Sequence, residues 1–148
     1  MNHSLGFPHR NQHDALRRLR HALDDAITAP SLDQDRWAYE LRGVLMRLGR
    51  IFGKHVAETE APNGSLAEIV QMKPHLQPRV VKIREEHILL KSKIEELASS
   101  TEKACRTHGV PVQSLREEAG HLADAIRLHQ ARGIDLVYEA YNRVDGAD

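Results

Sequence analysis

Four stretches of this chain repeat their apolar residues with the 3.6-residue period of an amphipathic helix, and each carries a histidine on its apolar side. The residues are His13, His55, His87 and His129. A core position is a costly place for an imidazole: an unpaired polar group moved into apolar surroundings costs about 1–3 kcal/mol. A single buried histidine needs one hydrogen-bond partner, and four could each be satisfied separately. Four on four stripes point instead to a shared ligand. Neutral imidazole is a common ligand of iron, zinc and copper, so the expected ligand is a metal ion.

The first stretch runs from about Asn11 to Thr28, with Leu16, Leu19, Leu23 and Ile27 as its stripe, and stops before Pro30. The second runs from Ser31 to about Glu60, where Ser31 and Gln34 have capping-box spacing. Its stripe is Trp37, Leu41, Leu45, Leu48, Phe52 and Val56. Ala61-Pro62-Asn63-Gly64 reads as a turn, and Ser65–Val70 suits a short helical segment before Pro74 and Pro78. The third stretch spans about Arg79 to Thr107, with Val80, Ile83, Leu90, Ile94 and Leu97 inward. Gly109-Val110-Pro111 ends it, and the fourth runs from about Ser114 to Asn142 with Leu115, Leu122, Ile126, Leu136, Val137 and Ala140 on one side. These elements predict an all-α fold, an antiparallel up-and-down four-helix bundle. At 148 residues the chain is expected to form one domain, 1–148, with 1–10 and 145–148 as loose tails.

At about 100° per residue, His55 falls about 40° from Leu41, well inside its stripe. His87 lies one turn after Ile83, and His129 lies three residues after Ile126. His13 sits towards the edge of its face. In an up-and-down bundle all four fall towards the same end. Of the other six, His3 and His9 belong to the tail, His21 and His121 fall outside the stripes, and His75 and His108 sit at helix ends.

Composition removes several function classes. Lys+Arg and Asp+Glu are 21 each, so the chain lacks the basic surplus of a nucleic-acid binder. At 4 % aromatics it also has few residues for base stacking. No run approaches the roughly 20 apolar residues of a membrane span, and the start of the chain lacks the apolar core of a signal peptide. The lone Cys105 cannot close an intrachain disulfide and suits a reducing compartment, so a cytoplasmic protein is expected. No Ser-His-Asp set, phosphate-cradling glycine loop or Cys-His nucleophile pattern is present, which argues against an enzyme.

Taken in order, certain pieces carry a family likeness. They are His13-x-x-Leu16, His55-Val-Ala-Glu-Thr-Glu, Gly64-x-Leu66-x-x-Ile69, Pro74-x-Leu76, Glu85-Glu86-His87 and the segment from His129 to Asn142. In order and spacing the chain resembles the hemerythrin-like, or HHE cation-binding, family over nearly its whole length. That resemblance implies a bundle with a non-haem di-iron site bridged by two carboxylates, used for oxygen binding, sensing or iron handling. The bridging carboxylates would come four residues after the second and fourth of these histidines, where this chain has Thr59 and Gly133. A neutral hydroxyl and a missing side chain cannot bridge two cations, so one ion of iron or zinc is expected rather than a pair. Glu58, next to His55 on the helix surface, is the candidate extra ligand. Glu86 points about 100° from His87 and is expected, like Asp124 and Asp135, to be a solvated charge. Dioxygen or another small ligand would be the partner of such a centre, and no protein partner is indicated. The competing reading is a degenerate, metal-free bundle that serves as a scaffold or interaction module.

Overall fold

The fold was obtained as a computed structural model that describes residues 3–142, with side chains from residue 14 onward. The elements are α1 (His3–Thr28), α2 (Gln34–Thr59), α3 (Ser65–Met72), a 3-10 turn at Pro74–Leu76, α4 (Gln77–Arg106) and α5 (Val112–Tyr141). No strand occurs among the described residues. None of the described helices is long and apolar enough to cross a membrane.

α1 begins at His3, earlier than the apolar period indicates. α2 begins at Gln34, and its cap is Asp33 rather than Ser31: the Asp33 carboxylate accepts from the Arg36 backbone N–H at 3.1 Å. Both residue types cap well, and the geometry of the preceding turn selects the aspartate. α2 ends at Thr59, and Glu60 is its C-cap, with its N–H donating to Val56 O. The turn that follows folds back on the helix end so closely that a Cβ on Gly64 would stand 2.4 Å from Glu58 O. Only glycine fits there.

Each long helix packs against two others: α1 on α2 and α5, α4 on α2 and α5. The Trp37 indole donates to Ala26 O at 2.8 Å, tying α2 to the end of α1. Arg116 lies over the same indole and donates to the Ile27 and Ala29 carbonyls, so α5 satisfies the last carbonyls of α1. Ion pairs give the directions. Arg42 of α2 reaches Glu102 of α4, while His87, earlier in α4, reaches Glu60 at the end of α2. Arg79 and Glu86 of α4 reach Glu139 and Arg132 of α5. α4 therefore runs antiparallel to both α2 and α5, and those two run the same way.

Two apolar clusters fill the interior. The larger holds Leu16, Leu23, Leu41, Leu45, Leu48, Phe52, Leu90, Ile94 and Ile126. The smaller joins α3 and the 3-10 turn to the ends of α4 and α5 through Leu66, Ile69, Leu76, Val80, Ile83, Leu136 and Ala140. Val137, expected inside, is 41 % exposed. Adjacent helical residues diverge by about 100°, so Leu136 and Val137 cannot share one narrow stripe.

Candidate metal centre

Between the two apolar clusters lies a polar layer of three imidazoles. His55 from α2, His87 from α4 and His129 from α5 are 8 %, 1 % and 4 % exposed. One ring nitrogen from each lies within 4.8 Å of the other two, which is a set that can hold a metal ion. Ring centroids are separated by 5.2 Å for His55–His87, 5.8 Å for His55–His129 and 4.9 Å for His87–His129. Bonds of about 2.0–2.1 Å would space tetrahedral ligands by roughly 3.3 Å. Small side-chain rotations would close the set onto one ion.

Two carboxylates orient the rings. Glu60 accepts from His87 Nδ1 at 2.5 Å, and Glu86 accepts from His129 Nδ1 at 2.7 Å. An ionised carboxylate only accepts, so Nδ1 carries the proton in both rings. In His87 this leaves a lone pair at Nε2. His87 Nε2 is buried and has no hydrogen-bond partner among the described residues. A buried acceptor without a donor is what a metal-ligating imidazole looks like before the ion is added, and the carboxylate behind it is the usual partner of such a ligand. Arg132 closes the outer side of this network by pairing with the second Glu86 oxygen.

Phe52 backs all three rings, with centroid distances of 5.9, 5.8 and 6.0 Å to His55, His87 and His129. These distances fall within the range of aromatic contact. The position one turn after His55 is Thr59, whose hydroxyl donates to His55 O at 2.9 Å and so turns back on its own helix. One turn after His129, Gly133 has no side chain, and a Cβ built there meets no atom of the described side chains within 4 Å. The donor set is three neutral imidazoles with no carboxylate among the described ligating atoms. Such a set could hold a metal ion.

The expected site residues fall differently. His55, His87 and His129 come together. The side chain of His13 lies outside the described residues. Glu58 is half-buried and is not among the clustered ligating atoms. Glu86, expected to be solvated, has only 18 % of its side chain exposed and bonds to His129. It does point away from His87, but α5 lies on that side and brings His129 to it. Glu60 was not anticipated. Continuing α2 by one more helical residue would put it about 140° from His55, off the inward stripe, and α4 brings His87 to it there. An acid just beyond a histidine-bearing helix was the available signal.

Burial holds His87 below the ordinary imidazole pKa of about 6.5, and the neighbouring His129 adds to this, against the opposing pull of Glu60. A folded-state value below the unfolded one means that the unfolded chain binds the proton more tightly. This contribution to stability is fully present above about pH 6.5 and is lost as pH falls towards the lowered value. The melting temperature of metal-free protein should therefore fall progressively as pH drops below about 6.5. Replacing His87 with Leu should make that acid limb shallower. An acid limb unchanged in His87→Leu would place its origin elsewhere.

Comparison of the chain with family models, with curated proteins and with solved structures gives no match in any of the three.

Proposed function

We propose that the chain is a metal-binding protein of hemerythrin-like type with an altered centre. In this reading α1, α2, α4 and α5 form an up-and-down four-helix bundle, and one divalent ion, iron or zinc, is held by His55, His87 and His129. The observation that carries the reading is the convergence of three buried imidazoles from three helices, two of them fixed through Nδ1 by Glu60 and Glu86. His13 on α1 and Glu58 are candidates for additional donors, and neither is required. Two adjacent dications without bridging anions would repel strongly at low effective dielectric, and Thr59 and Gly133 offer no such bridge. A single ion avoids that cost. Oxygen or redox sensing, or iron handling, in the cytoplasm is the role this reading supports.

Elemental analysis of the protein purified from iron- and zinc-supplemented cells tests it. About one ion per chain is expected, with none in His87→Ala. Two irons per chain, with the charge-transfer bands of an oxo bridge, would overturn the single-ion centre. Absence of any metal would favour the scaffold alternative.

The carboxylates behind the rings give a second check. Removing an outer partner of a ligating histidine typically weakens metal affinity about 10–100-fold. Glu60→Ala and Glu86→Ala should each fall in that range when the protein competes with a chromogenic chelator. Arg132→Ala should have a smaller effect, because it touches the metal ligands only through Glu86. Wild-type affinity in both glutamate variants would show that the two contacts are incidental.

A further inference from the structure

We propose that the outward face of α4 pairs antiparallel with the same face of a second copy of this chain, about a two-fold axis at Leu89. α2, α3 and α5 pack on the other sides of α4. Val81, Ile88 and Leu89 are left in solvent, the last two 73 % and 55 % exposed. Single apolar side chains on a surface need no explanation. These three matter because of the charges set around them.

The outward face of α4 consists of two rows. Lys82, Glu85, Lys93 and Glu96 fall within about 40° of Leu89, and Val81, Arg84 and Glu95 within about 40° of Ile88. Lys82 and Glu96 each stand seven residues from Leu89, on opposite sides of it, and Glu85 and Lys93 each stand four. In the second row, Arg84 and Glu95 stand five and six residues from Leu89. Each of these six exposed charges thus has an opposite charge at the mirrored position.

That symmetry is what self-pairing requires. Across a two-fold interface residue i meets residue j, and j meets i. With the axis at Leu89, Lys82 faces Glu96 of the other copy, Glu85 faces Lys93 and Arg84 faces Glu95. Every pair forms twice, around a centre of Leu89 and Ile88. A parallel pairing would instead set each charge against itself. Within the chain, the ion pairs of α4 among the described residues use Arg79, Glu86, His87, Glu102 and Arg106, and none of these six. Beside the same face, Glu96 and Ser100 of α4 and Glu118 of α5 line a groove, into which Lys82 of the second copy fits. The stretch from Val81 to Glu96 is only about 22 Å long. A small interface held by exposed charges makes a weak, salt-sensitive dimer rather than an obligate one.

Sedimentation velocity of the full metal-free chain, over a series of protein and salt concentrations, tests this. A monomer–dimer equilibrium is expected at low salt, shifting to monomer as salt rises. Lys82→Glu and Glu96→Lys should each weaken dimerisation roughly tenfold, because each reversal turns two attractive pairs repulsive. The double variant carrying both reversals should return towards wild type. Residues 82 and 96 of one chain lie about 21 Å apart along α4, so no contact within a chain could produce that rescue. An independent readout uses a Cys105→Ser background. There Leu89→Cys should form a covalent dimer under mild oxidation, and Ser100→Cys, far from the axis, should not. A chain that stays monomeric throughout the series overturns the inference. So does a dimer that ignores the single reversals or is not restored by the double one. Cross-linking through Ser100→Cys as readily as through Leu89→Cys also overturns it, and that comparison stands even if a charge variant fails to fold.

Discussion

Added Zn²⁺ or Co²⁺ should raise the melting temperature of the metal-free protein by about 8–16 °C. A ligand that binds only the folded state stabilises it by mass action, about 4 kcal/mol when free ligand is roughly 1,000 times its Kd. A domain of about 150 residues moves roughly 2–4 °C per kcal/mol. The three donors come from α2, α4 and α5, so unfolding any one of these helices releases the ion, and the whole binding free energy counts towards the fold. The unpartnered Nε2 of His87 sharpens the contrast, because the metal-free protein carries the cost of that buried acceptor and the loaded protein does not. Differential scanning calorimetry with and without metal, followed by chelator, measures the shift. In His87→Ala and His129→Ala it should vanish. A shift that survives both substitutions would locate the binding elsewhere.

How far the centre could be read in advance follows from what helical periodicity encodes. Periodicity tells which residues share a face, and that was enough to put His55, His87 and His129 inward with Phe52, Ile83 and Ile126. It says nothing about which helix lies beside which face. Glu86 is off the inward stripe of α4 and is useful only because α5 lies against that edge and brings His129 to it. Glu60 too stands off the inward stripe of α2 and matters because α4 brings His87 to it. The choice of Asp33 over Ser31 as the α2 cap is of the same kind, since both can cap and the loop path decides. Composition was most informative in what it removed: an even charge balance and few aromatics left the ten histidines as the feature that needed an explanation.

Phe52→Ala should be the most destabilising single change at the centre, at about 3–5 kcal/mol. Phe52 is 1 % exposed, belongs to the larger apolar cluster, and presents its ring to all three imidazoles. Truncation removes apolar contact and leaves a cavity beneath a polar layer, where water would enter more readily than in a wholly apolar core. At 2–4 °C per kcal/mol the melting temperature should fall by about 6–20 °C. The same change frees the rings to turn, so metal affinity should drop as well. Leu41→Ala separates the two effects. Leu41 is fully buried in the same apolar cluster but lies about four helical turns before His55 on α2. It should lose about 2–5 kcal/mol of stability with metal affinity close to wild type. Equal losses of affinity in Phe52→Ala and Leu41→Ala would mean that binding merely follows global stability. A loss confined to Phe52→Ala would show that this ring sets the positions of the imidazoles.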